Sequence, residues 1–225
     1  MMKTHAIVTG AAGILGQAVT QALVQAGYKV TGIDRADSAG TGTQGTYLGG
    51  VDLADADATA AAVNQAIDAN GPLSALVNVA GTFRWETVAD GDVATWSTLF
   101  DINLRTAVNA VRAALPSLRE GGGAIVSIGA ASAIKAGAGM GAYAASKAGI
   151  AKLTEALAEE EKDNGVRVNA VQPSIIDTPA NRADMSDADF SRWVSPAQVA
   201  SVIAFLLSDG AAAVTGACIP VTGRC

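Results

Sequence analysis

The chain has 225 residues, half of them apolar and few aromatic, with 25 glycines and a formal charge of −6. That length suits one large α/β core, because chains divide into separate cores only beyond roughly 250 to 300 residues, and the composition is neither disordered nor fibrous. A pI near 4.7 without any run of Lys or Arg argues against a phosphate-tracking surface, so nucleic acid is not an expected partner.

No apolar run reaches membrane-spanning length, and Met1 to His5 leads into only three apolar residues before Thr9, too few for a signal-peptide core. Cys218 and Cys225 show no metal-ligand pattern and read as reduced thiols, so the expected location is cytoplasmic and no metal is expected. The one histidine, His5, builds neither a triad nor a metal site and reads as structural.

In chain order, His5 to Thr9 is a β-prone run followed by Gly10-Ala11-Ala12-Gly13-Ile14-Leu15-Gly16 and a helix to about Ala26. Strand, glycine turn and helix is the context in which glycines admit a pyrophosphate to a helix start. The spacing here is Gly-x-x-Gly-x-x-Gly, which by itself could be a plain turn. A second strand, Lys29 to Ile33, ends at Asp34, where an acidic residue receives an adenosine ribose and repels a 2'-phosphate. NAD is therefore favoured over NADP, with Arg35 as the counter-signal, since a guanidinium pairs with phosphate.

Ser38 to Gly45 reads as a loop, Tyr47 to Val51 as a third strand ending in Asp52-Leu53, Asp55 to Asn70 as an Ala-rich helix, and Leu73 to Val79 as a buried strand. Trp96 to Leu118 is a long helix with Asn103 on its apolar side. An amide there must find hydrogen bonds or cost roughly 1 to 3 kcal/mol, so Asn103 belongs to a core network or to a site. Ala124 to Ile128 is the next strand, followed by a loop to Gly141. Tyr143-Ala144-Ala145-Ser146-Lys147 then opens a helix that closes near Gly165.

Tyr143 and Lys147, four apart, share one helix face. An ammonium about 4 Å from the phenol is worth roughly 4 kcal/mol at a near-surface dielectric, which would bring the tyrosine from about 10 toward neutrality, as general acid-base work requires. Val166 to Val171 is a further strand turned by Gln172-Pro173. Ser195-Pro196-Ala197-Gln198 has the form of a capping box, and Gly216 to Val221 is the last strand. Strands alternating with helices predict a doubly wound parallel sheet of about seven strands, a single Rossmann-type domain over 1–225, with ligands at the carboxyl ends of its strands.

These motifs, in order and in register, resemble the short-chain dehydrogenase/reductase family. The likeness runs from His5 to Val221, although a glycine is more common where Ile14 stands and Val79 replaces a second asparagine in Asn78-Val79-Ala80-Gly81. The resemblance implies an NAD(P)-dependent oxidoreductase acting on a small carbonyl, alcohol or quinonoid substrate. Asn103, Tyr143 and Lys147 take catalytic places, with Asn103 anchoring a water. Gly10, Ala12, Gly13, Ile14, Leu15 and Gly16 take the pyrophosphate turn, and Asp34 with Arg35 the ribose. Asp52 and Leu53 take the adenine, and Asn78, Ala80 and Gly81 line the cofactor. Tyr143 and Lys147 reach the nicotinamide ribose, and Pro173, Ile176 and Thr178 the carboxamide.

The family's catalytic serine aligns with Ala130, a departure shared with the dihydropteridine reductases, which reduce a quinonoid pterin with NADH. The stretch from Asp177 to Trp193 also resembles theirs, and 177–195 is expected to cover the substrate. Ala130, Ser132, Met140 and Trp193 are its candidate substrate contacts. The family's habit of pairing through long helices implies a homodimer or homotetramer. The alternative is a dinucleotide-binding sensor or scaffold without chemistry.

Overall fold

Strand and helix alternate along the chain, and the central strands are buried on both faces, as a parallel sheet covered by helices demands. The computed structural model describes residues 5–39 and 45–225; Met1 to Thr4 and the 40–44 portion of the expected loop lie outside them. In order, the elements are β1 (His5–Thr9), α1 (Ile14–Gln25), β2 (Lys29–Ile33), β3 (Thr46–Leu48), α2 (Ala56–Asn70), β4 (Leu73–Asn78) and α3 (Val93–Phe100). They continue with α4 (Thr106–Gly121), β5 (Gly123–Ile128), α5 (Gly141–Glu161), β6 (Val166–Pro173), α6 (Pro179–Asp184), α7 (Pro196–Leu206) and β7 (Cys218–Val221).

The seven strands lie in the order β3-β2-β1-β4-β5-β6-β7, all parallel. One core joins α1 and α7 to the sheet through Val8, Leu23, Val77, Val126 and Ile203; the other joins α2, α4 and α5 through Ile7, Leu76, Val111, Ile125 and Leu157. Strand order reverses between β1 and β4, so the crevice outside their carboxyl ends is where such a sheet takes a ligand. This is the Rossmann-type doubly wound sheet expected from the sequence.

Local chemistry moves several boundaries. The helix expected from Trp96 starts at Val93, capped by the Asp92 side chain on Ala94 N, and a π-helical turn, Asp101–Arg105, separates it from α4. The third strand stops at Leu48 because Gly49 and Gly50 turn the chain, the latter with φ +70°. A side chain at Gly49 would stand 2.6 Å from the Asp37 carbonyl oxygen. β7 starts at Cys218, two residues beyond Gly216, whose φ of +73° is not a strand conformation. The capping box at Ser195 and Gln198 is present. His5 is wholly buried, its Nδ1 2.9 Å from the Gly71 carbonyl oxygen and its Nε2 2.8 Å from Thr31 Oγ1, in agreement with a structural role.

Candidate active site

At the reversal of strand order, Gly10 turns the chain after β1 with φ +65°. A side chain there would meet Ala80 N at 2.7 Å, so the turns after β1 and β4 press against each other. A methyl on Gly16 would fall on the Gly10 carbonyl oxygen, which is why α1 can start directly on the turn. α1 has no side-chain cap, leaving its first N–H groups to an anionic ligand, and Gly13 beside them is exposed. Ile14, where a further glycine is common, is itself half exposed, and Leu15 is partly buried against the core under α1.

Asp34 stands at the end of β2, 22 residues beyond Ala12. Its Oδ2 accepts from Ala12 N at 2.9 Å and its Oδ1 from Ala36 N at 3.0 Å, so the carboxylate is fixed beside the glycine turn. Arg35 next to it is exposed. Asp52 is exposed with Oδ1 on Ala54 N, and Leu53 is buried; the Asn109 side chain of α4 donates to the Leu53 carbonyl at 3.0 Å and holds this turn. After β4, Val79 N and Ala80 N both donate to Thr9 Oγ1, at 3.1 and 3.3 Å. Asn78 donates to Ser127 Oγ at 3.1 Å, while its Oδ1 is buried without a partner among the described residues. Asn109 and Ser127 were not singled out by sequence reasoning, since each acts on a segment far from it along the chain.

Two of the expected catalytic residues, Asn103 and Lys147, meet at Gly81. A methyl there would lie 2.9 Å from Asn103 Oδ1 and 3.1 Å from Lys147 Nζ, so only glycine leaves that lane open. Asn103 sits on the π-helical turn, almost fully buried, with Oδ1 accepting from Thr82 N at 2.7 Å and Nδ2 donating to Ser146 Oγ at 2.9 Å. Ser146 in turn donates to the Tyr143 carbonyl at 2.7 Å. Asn103 thereby belongs to a core network that braces the first turn of α5, and a water would use its remaining hydrogen-bonding capacity. Leu104 fills the notch at Gly149, where α5 passes the π-helical turn.

Lys147 is 4 % exposed and donates from Nζ to the Ile128 carbonyl at 2.8 Å. Its burial pulls the ammonium down to about 8. The Tyr143 phenol is pushed up to about 12, also by burial, and the Phe83 ring stands edge-on to it, centroids 4.9 Å apart. This corrects the expectation of a phenol drawn toward neutrality by its lysine. The ammonium is held on a main-chain carbonyl, and burial of the phenol disfavours phenolate. The outcome at neutral pH is a protonated phenol beside a charged lysine.

On the substrate side, Ala130 is buried in extended backbone just before a single 3-10 turn, Ala131–Ala133. Ser132, in that turn, has a hydroxyl oxygen sealed from solvent and without a partner among the described residues. Met140 is partly buried at the start of α5. Trp85, which sequence reasoning passed over, donates from Nε1 to the Ala138 carbonyl at 3.0 Å and lies flat against Gly139, lashing the segment after β4 to the loop before α5.

The 177–195 stretch is ordered by its own contacts. Pro173 ends β6; Ile176 bridges Val194, Thr178 caps α6 on Asn181 N, and Arg182 pairs with Asp177 at 2.6 and 2.8 Å while its guanidinium lies over Phe190. Trp193, an expected substrate contact, is 8 % exposed with its ring on Phe190, centroids 4.7 Å apart, and gives the segment an apolar base on which to fold.

Taken together, glycine turns that leave no room for side chains, an acidic residue fixed at the end of β2 and an orphaned buried acceptor at Asn78 fit a dinucleotide along the strand ends. The comparisons agree. A family model described as short chain dehydrogenase matches residues 4–189, and the chain belongs to that family. Its relatives include an acetoacetyl-CoA reductase of Acinetobacter sp. (strain RA3849), 33% identical with 97% of this chain and 96% of the relative covered. A 3-oxoacyl-[acyl-carrier-protein] reductase of Vibrio cholerae is 30% identical, with 97% and 95% covered. Among solved structures, an aldohexose dehydrogenase of Thermoplasma acidophilum superposes with a TM-score of 0.91 at 28% identity, covering 99% of this chain and 93% of that one. A short-chain type dehydrogenase/reductase of Mycobacterium ulcerans gives 0.90 at 27%, covering 98% and 89%. The protein is an NAD(P)-dependent oxidoreductase, which sets aside the reading as a sensor or scaffold without chemistry.

Proposed function

We propose that this chain is an NADH-preferring reductase of a conjugated carbonyl or quinonoid, pterin-like acceptor, with Tyr143 as the proton donor. The observation that carries the reading is the placement of Tyr143 and the buried Lys147 one turn apart at the start of α5, a helix braced there by Asn103 and Ser146. The bound nicotinamide cofactor supplies the hydride. Gly10 to Gly16 hold its pyrophosphate, and the Asp34 carboxylate accepts from its ribose and repels a 2'-phosphate. Asp52 and Leu53 seat the adenine. Asn78, Ala80 and Gly81 line the passage to the nicotinamide end, and Pro173, Ile176 and Thr178 hold its carboxamide.

Tyr143 gives its proton to the reduced substrate. Lys147 holds the nicotinamide ribose, and its positive charge eases departure of that proton. With Ala130 in the serine's place, a simple ketone loses a hydrogen bond worth about 10²–10³ in rate, and an acceptor with delocalised charge loses less. The relatives named as acetoacetyl-CoA and 3-oxoacyl reductases make an oxoacyl thioester the natural comparison substrate. The whole chain acts as one domain, 177–195 covers the substrate, and exposed Val93, Trp96 and Phe100 support assembly into a homodimer or homotetramer. Among the described residues no helix is long and apolar enough to cross a membrane, and both cysteines are free thiols, which supports a cytoplasmic location.

The test is NADH and NADPH consumption by purified protein with a quinonoid dihydropterin, menadione and acetoacetyl-CoA. Faster turnover of the dihydropterin with NADH supports the reading. Turnover of acetoacetyl-CoA alone, with NADPH, overturns both the acceptor class and the cofactor preference.

A further inference from the structure

Ala130 leaves the acceptor without a hydroxyl donor, and a buried amide stands against Gly129, the residue just before it. Gln172 precedes Pro173 at the end of β6 and is 4 % exposed. Alternation along the strand puts it on the same side as Ala170, which packs against Ala107 of α4 and Ile150 of α5. Its side chain runs across the end of β5: a methyl placed on Gly129 would stand 3.1 Å from Gln172 Cγ and 3.9 Å from Nε2. Gly129 therefore has little room for a side chain, and the next residue is Ala130.

Among the described residues nothing hydrogen-bonds the Gln172 carboxamide, and it is not sealed from solvent as the Ser132 hydroxyl is. With no such partner and access from outside, its amide is free to donate to whatever occupies the space before it. Ser132, the other candidate, is closed off and would have to move before it touched a substrate.

We propose that Gln172 replaces the hydroxyl missing at Ala130, its Nε2–H donating to the oxygen or ring nitrogen of the acceptor on which negative charge builds. The assignment rests on the reductase reading above, and it gives that reading its second donor beside Tyr143. It also accounts for Gly129, which keeps the path of the glutamine side chain open.

The test compares the wild type with Gln172→Leu, Gln172→Glu and the double variant Ala130→Ser/Gln172→Leu. The acceptors are the quinonoid dihydropterin, menadione and acetoacetyl-CoA, with NADH binding followed by fluorescence. Gln172→Leu lowers kcat about 10²-fold with the NADH Kd changed less than about threefold, and adding Ala130→Ser recovers about tenfold or more. Glutamate at this position donates only when protonated, so Gln172→Glu loses activity as pH rises through the carboxylate range, a limb that a packing role does not produce. A kcat for Gln172→Leu within about threefold of wild type, a loss that Ala130→Ser leaves unrestored, or a Gln172→Glu pH profile parallel to the wild type overturns the assignment and leaves the reductase reading standing. A wild type that reduces none of the acceptors removes the reading, and this assignment with it.

Discussion

The Lys147 ammonium is bonded to the Ile128 carbonyl at 2.8 Å, so β5 and α5 are tied together at the point where the catalytic helix passes the sheet. Nearly complete burial of that ammonium sets how the site answers to pH. Lys147 titrates near 8 and is charged below it; Tyr143 titrates near 12 and is protonated throughout the working range. The reduction rate is therefore flat below about pH 7 and falls about tenfold per unit above about pH 8 as the lysine loses its charge. A kcat profile between pH 5.5 and 9.5 checks this, and a rate that climbs through pH 8 contradicts it.

Asp34 is fixed by Ala12 N and Ala36 N, which holds its carboxylate beside the glycine turn, at the proposed ribose position. Asp34→Ser removes that charge while keeping a hydrogen-bonding group. The expected result is a NADH Kd raised about tenfold and a NADPH Kd lowered, measured by fluorescence titration of each cofactor. Unchanged discrimination would move cofactor choice elsewhere, with Arg35 the next residue to replace.

Ser146 is fully buried and joins Asn103 to the Tyr143 carbonyl. Ser146→Ala leaves the Asn103 Nδ2 without its acceptor and costs about 1–3 kcal/mol, read from the urea midpoint. Because the lost bond aims the first turn of α5, kcat falls with it while NADH affinity is retained.

His5 is held neutral, since burial pulls its pKa below 6.5. The unfolded chain takes up a proton there that the folded chain refuses, so this stability is complete above pH 6.5 and is lost as pH falls from 6.5 toward the lowered value. The urea midpoint of the wild type drops between pH 7 and 5 more steeply than that of His5→Gln. Parallel curves would show that the histidine does not govern acid sensitivity.

The glycine turn, Asp34 and the Tyr143–Lys147 pair were legible because each is a local pattern whose meaning depends on the element just before it. The doubly wound parallel sheet followed from alternation and from the family resemblance, whereas its strand order is a finding of the structure. What stayed hidden lies in contacts between distant segments. The π-helical turn that presents Asn103 interrupts a helix whose apolar spacing reads as continuous. Thr9 on the β4 turn, Asn109 on Leu53 and Gln172 beside Gly129 pair residues 43 to 71 positions apart. The direction of the Tyr143 shift was hidden for the same reason. Spacing gives the distance between phenol and ammonium but not how thoroughly Phe83, Ile128 and the sheet exclude water from both. Trp193 entered as a substrate contact through the likeness of its segment, and its packing on Phe190 was not legible there because that contact depends on how 177–195 folds.

The central claim is that Tyr143 donates the proton, and the most direct measurement is turnover by Tyr143→Phe beside its NADH affinity. Phenylalanine keeps the ring that packs on Phe83 and removes only the hydroxyl. The account predicts that kcat with the quinonoid dihydropterin falls about 10²-fold or more while the NADH Kd stays within about threefold of wild type. A variant that keeps wild-type turnover would contradict it, because the proton would then be coming from another group.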